Sequence, residues 1–88
     1  METPIKIIMA DDHPIVRQGL RRMIETDKSI NILAEADDGE TAIKLILDHQ
    51  PDVAVLDIDM PKMDGFAVVR EIQKLKLSIE TIFLTMYS

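Results

Sequence analysis

VAVLDIDMPKMDG, residues 53–65, is a short apolar run that closes on an acid, Asp57, and passes into a loop holding two more, Asp59 and Asp64. Apolar and β-branched residues without polar alternation predict a strand buried on both faces, so Asp57 should emerge at the edge of a dry sheet. A second apolar run, Ile5–Ala10, ends in an acid pair, Asp11 and Asp12. If the two runs are neighbouring parallel strands, three carboxylates converge at the carboxyl end of the sheet. Like charges that close raise one another's pKa unless a cation lies among them. Oxygen ligands, negative charge and a partly open site suit Mg²⁺, which takes one or two carboxylates directly and keeps several waters. The spacing predicts a metal-assisted phosphoryl site.

Outward from these runs, Pro14 is well placed at the first position of a helix, where its missing N–H costs nothing. Val16, Leu20, Met23 and Ile24 share one face of that helix, and Arg17, Arg21 and Arg22 are expected on a solvated face. Gly19, inside it, costs about 1 kcal/mol against Ala; close packing on the sheet is the expected reason. Ile30, Ile32, Ala34 and Ala36 alternate with Asn31, Leu33 and Glu35, as in an edge strand with one wetter face. Asp37-Asp38-Gly39 is a turn. Ala42, Ile43, Ile46 and Leu47 then stripe a second helix that should stop before Pro51, with His49 structural or exposed in its last turn. Asp64-Gly65 introduces a third helix with Val68, Ile72 and Leu75 on one face, and TIFLT, residues 81–85, is the fourth strand. Strands alternating with helices call for a parallel sheet with right-handed crossovers.

Composition narrows the function. Eighty-eight residues with a net charge of -6 suit one small domain, and 47% hydrophobic but only 3% aromatic content implies an aliphatic core. With no cysteine there is neither a disulfide framework nor a thiolate site, as expected in a reducing compartment. No apolar stretch approaches the roughly 18 residues of a spanning helix. Glu2 and Lys6 interrupt any signal-peptide pattern, so a cytoplasmic protein with no membrane contact is expected. The acidic balance argues against direct nucleic-acid binding.

The pattern resembles the receiver domain of two-component response regulators, and more narrowly the NarL/FixJ (LuxR-type) subfamily. The matching pieces are IIMADDHPIVRQGL, LDIDMPKMDG and FLTMYS. The resemblance implies an α/β, flavodoxin-like (CheY-like) doubly wound parallel sheet of order 2-1-3-4-5, with ligands at the switch point between the first and third strands. Residues 1–88 would supply four strands (order 2-1-3-4) and three helices, the first two thirds of that domain. By resemblance, Asp57 is the phosphoacceptor, served by a sensor histidine kinase or a small acyl phosphate. Mg²⁺ is held by Asp12, Asp57 and the backbone carbonyl of Asp59, with Asp11 acting through water. Thr85 is the switch hydroxyl, and Pro61 and Gly65 shape the loop. His13 is expected to be a loop side chain at the helix start, and the methionines core filler.

The family's fourth helix, its Lys-bearing fifth strand and its helix-turn-helix output module have no counterpart in these residues. Losing that lysine removes a cation of a kind typically worth about 3 kcal/mol. Baring about 400 Å² of apolar surface would cost about 10 kcal/mol, so self-association through the fourth strand or the first helix is expected. Two other readings compete. One is a phosphorylation-incompetent dimerisation or interaction module. The other is a haloacid-dehalogenase-type phosphatase using Asp57-x-Asp59, although that motif ordinarily closes a first strand.

Overall fold

Strand and helix alternate along the whole described chain. The computed structural model describes residues 3–84, with β1 at Ile5–Ala10, α1 at Pro14–Glu25, β2 at Ile30–Ala36, α2 at Gly39–His49, β3 at Val53–Asp57, α3 at Gly65–Lys74 and β4 at Glu80–Leu84. The sheet runs β2-β1-β3-β4 and every pairing is parallel. This is the expected doubly wound order. Ala10 pairs with Leu56, so the residues that follow each, Asp11 and Asp57, leave the sheet level with one another.

Period-2 alternation sorts the apolar side chains onto two faces. Ile8 and Ala10 of β1, Ala54 and Leu56 of β3, Ala42 and Ile46 of α2, and Val68 and Ile72 of α3 form the main core. On the other face Ile7, Met9 and Val55 are buried beneath Leu20 and Ile24 of α1. Both helices of the thick face are capped by their sequence: Asp38 Oδ1 accepts from the Thr41 amide at 2.8 Å and Asp64 Oδ1 from the Ala67 amide at 2.8 Å. Gln50 stops α2 in the left-handed region, φ 49°, just ahead of Pro51.

Several local expectations are corrected. The register of β2 on β1 shifts between Ile7 and Ile8, so that Ile32 pairs with Ile7 and Ala34 with Ile8, leaving Leu33 as an extra residue. A bulge of this kind flips the alternation. Ile30 and Ile32 therefore pack toward α1, whereas Leu33, Ala34 and Ala36 pack toward the main core. On α1 no residue is fully buried, and Met23, expected to face inward, is 71% exposed. The Arg17 and Arg21 side chains do not simply face solvent: both reach Glu35 on β2. Leu75 ends α3 as its C-cap and is exposed. The fourth strand begins one residue earlier than expected, at Glu80, and Thr85 lies outside the described residues.

Gly19 is also corrected, because a Cβ there would meet nothing within 4 Å. Its cost is conformational, with no packing to offset it. Gly19→Ala should therefore stabilise the fold by about 1 kcal/mol, raising the melting temperature by about 5 °C in a thermal denaturation followed by circular dichroism.

Candidate functional site

The site begins where β1 runs out. The Asp11 amide donates to the Ala36 carbonyl at 3.0 Å, extending the β1–β2 ladder by one residue and carrying Asp11 into the interior, 1% exposed. Its Oδ1 accepts from the His13 amide at 2.7 Å, which turns the chain toward Pro14. Arg17, one turn into α1, leans back along the helix as long helical side chains do. Its Nη1 donates to the Asp11 carbonyl at 2.6 Å and to the Ala36 carbonyl at 3.3 Å, while Nε stands 3.1 Å from Glu35 Oε1. The acid pair is thereby tied to β2 through its backbone, leaving its carboxylates to face the neighbouring strand.

Asp57 closes β3 at 5% exposure, with Oδ1 accepting from the Asp59 amide at 3.2 Å. The loop beyond folds back on it: the Gly65 amide donates to Ile58 at 2.9 Å. A Cβ at Gly65 would stand 2.6 Å from the Asp57 carbonyl oxygen, so only glycine allows the start of α3 to approach this closely. Pro61 lies exposed in the turn, and the Met63 amide donates back to the Pro61 carbonyl at 2.8 Å around Lys62, whose φ is 69°. Gly39, opposite, abuts Met63 so tightly that a Cβ would collide with that residue.

Asp11, Asp12, His13 and Asp57 each present one donor atom such that all lie within 4.8 Å of one another. His13 Nδ1 is 2.9 Å from Asp12 Oδ1, 3.2 Å from Asp11 Oδ1 and 3.6 Å from Asp57 Oδ2. Asp11 Oδ2, Asp12 Oδ1 and Asp57 Oδ2 are buried atoms without a hydrogen-bond partner among the described residues. Burial, and then the charges of Asp11 and Asp12, push the Asp57 carboxyl up from its ordinary value; the Asp59 amide and His13 oppose them. The hydrogen bond to Asp11, followed by the charge of Asp12, pushes the His13 imidazole up. One donor atom from each of three carboxylates and an imidazole within this 4.8 Å span, some carboxylate oxygens lacking partners, fits a divalent cation.

Asp11, Asp12 and Asp57 thus come together as the sequence implied. Asp59 contributes its amide, and its exposed side chain stands outside the cluster of donor atoms. His13, expected as a bland loop side chain, sits against all three carboxylates. The role of Arg17 was not foreseen either, although a cation one helical turn after an acid pair is a readable signal.

An acid cluster at the carboxyl edge of β1 and β3, where the order of a parallel sheet reverses, defines a ligand site of the doubly wound class. Residues 7–88 match the response regulator receiver domain family, and the chain belongs to that family. It is 38% identical over 81 residues to the "Probable transcriptional regulatory protein NarL" of Mycobacterium tuberculosis, covering 92% of this chain and 38% of that protein. The solved signal receiver domain of NarL from the same organism superposes with a TM-score of 0.94 at 36% identity, covering 99% of this chain and 70% of that one. A "Protein-glutamate methylesterase/protein-glutamine glutaminase 2" of Nitratidesulfovibrio vulgaris is 43% identical over 68 residues, 77% of this chain but 18% of that protein. The chain therefore spans well under half the length of these curated relatives.

Because the Asp57 pKa is raised, the folded state holds a proton at pH values where the unfolded chain has lost it. This carboxyl's contribution to stability falls as pH rises from the ordinary carboxylate value through the folded one. Without divalent cations at neutral pH, Asp57→Asn should stabilise the fold by about 1 kcal/mol, the scale of relieving an unpartnered buried group. Mg²⁺ should raise the wild-type melting temperature more than that of the variant. Thermal melts with chelator and with Mg²⁺ check both.

Proposed function

We propose that this chain is a phosphoacceptor switch, in which Asp57 takes a phosphoryl group from a sensor histidine kinase or a small acyl phosphate. The observation that supports this most is the gathering of Asp11, Asp12 and Asp57 at the ends of β1 and β3, one oxygen of each within 4.8 Å of the others. Asp12, partly exposed, would hold Mg²⁺ directly together with Asp57 and the Asp59 backbone carbonyl, and Asp11 would act through water. When bound, the cation supplies positive charge that offsets the repulsion between the carboxylate and the incoming phosphoryl oxygens.

In the transfer, a carboxylate oxygen of Asp57 attacks phosphorus. The bond from phosphorus to the donor's nitrogen or oxygen breaks, and that leaving atom keeps the electron pair. The Asp59 amide holds Oδ1, which orients the carboxylate. Thr85 would donate its hydroxyl to the phosphoryl group, and Pro61 and Gly65 keep the loop close to the acceptor. The new dianion then biases the loops around it. This makes the chain a switch rather than a turnover enzyme, and the Asp57-x-Asp59 motif closes the third strand rather than the first.

The output follows the relatives with less force, since one is a transcriptional regulator and another a methylesterase. The NarL-type likeness favours control of transcription in the cytoplasm. Ile15, 84% exposed, and Met23 on α1, with Ile82 exposed on β4, favour self-association through one of these surfaces.

Incubation with acetyl phosphate and Mg²⁺ should add one phosphoryl group by intact mass, and Asp57→Asn should abolish the addition. Uptake unaffected by that substitution would overturn the assignment. Sedimentation at increasing concentration should show a dimer, weakened by Ile15→Glu or by Ile82→Lys; a monomer throughout would remove the assembly from the proposal.

A further inference from the structure

The carboxylates do not account for the whole donor set, because His13 Nδ1 lies beside one oxygen of each: Asp11 Oδ1, with which it is within hydrogen-bond distance, Asp12 Oδ1 and Asp57 Oδ2. Two atoms each about 2.1 Å from one ion and about 90–109° apart are about 3.0–3.4 Å from each other. The nitrogen-to-oxygen separations of 2.9, 3.2 and 3.6 Å straddle that range. Asp57, more than nine-tenths buried, brings its unpartnered Oδ2 to 3.6 Å from that nitrogen. The ring itself is exposed and caps α1 without any side-chain hydrogen bond to the helix, so holding the helix does not explain its position.

The geometry points to His13 Nδ1 as a direct metal ligand, giving a mixed nitrogen and oxygen site that prefers Co²⁺, Ni²⁺ or Zn²⁺ to Mg²⁺. Imidazole is a poor partner for a hard cation and a good one for late first-row divalent ions, whose affinities rise across the series to copper. An all-oxygen site would discriminate less between Mg²⁺ and Co²⁺. This inference rests on the metal site proposed above and adds a ligand to it.

The test uses the full chain with Mn²⁺, Co²⁺ and Mg²⁺ as probes. Electron spin-echo spectroscopy of bound Mn²⁺ should show one directly coordinated nitrogen in the wild type and none in His13→Ala. His49, exposed at the end of α2, is the control, and His49→Ala should keep the nitrogen signal. By calorimetry His13→Ala should lose about tenfold or more in Co²⁺ affinity and much less in Mg²⁺ affinity. His13→Asn should behave like the alanine variant in the spin-echo measurement, with an unchanged circular dichroism spectrum. Metal binding without a nitrogen signal, or an equal loss for both metals, overturns the ligand assignment and leaves the carboxylate site standing. Tighter binding by His13→Ala also overturns it, since the imidazole would then be a competitor for the ion. Failure of the wild type to bind any of the three metals overturns the metal site itself, and this inference with it.

Discussion

The pairing of Ala10 with Leu56 is the constraint from which the site follows. Parallel strands finish at the same edge of a sheet, so two runs that each close on an acid must deliver their acids together once the register is set. The register is itself fixed by burial: Ile8, Ala10, Ala54 and Leu56 fill one face, while Ile7, Met9 and Val55 fill the other. A slip of one residue would exchange these sets and send branched side chains into space shaped for alanine. Core packing therefore determines where the carboxylates meet, and it does so without any attraction among them.

That arrangement works against the stability of the fold. Asp11 and Asp57 are almost fully buried, carry the same charge and leave oxygens unpartnered. The surrounding structure holds them at their backbones instead: Arg17 grips the Asp11 carbonyl, the Asp59 amide steadies Asp57, and Gly65 brings the start of α3 against the Asp57 carbonyl. Each tie fixes position while leaving carboxylate oxygens free. A local conflict maintained by so many contacts is what a binding site requires, and a merely structural corner would have removed the charge.

Legibility followed the range of the interactions. Pro14, Asp38 and Asp64 set their helix starts through contacts spanning a few residues, and those starts were readable from the sequence alone. The strand order and the meeting of three acids were readable because apolar runs and crossover handedness leave few alternatives. The bulge at Leu33 was not, since it exists only in the pairing with Ile7 and Ile8, and it reversed the faces assigned to Ala34 and Ala36. Gly19 misled for a related reason: a glycine within a helix implies close approach only if something approaches, and nothing does. The contacts of Arg17 and His13 are not legible from α1 alone, because their partners lie just beyond β1 and on β2 and β3.

The two faces of the sheet are unequal, and this bears on which part of the molecule yields first. α2 and α3 bury Ala42, Ile46, Val68 and Ile72, whereas α1 contributes no fully buried residue and leaves Ile15 and Met23 in solvent. What α1 lacks in burial it replaces with polar ties, chiefly Arg17 to two backbone carbonyls and Glu35, and Arg21 to Glu35. The exposed Arg21–Glu25 pair adds little, because solvent and salt screen it. An element that buries less apolar area exposes less of it on moving, so it opens at lower cost than one held by a filled core. The helix that starts at the acid cluster is the one with least burial, resting on Leu20 and Ile24, and the Arg17 contact ties it directly to the backbone of Asp11.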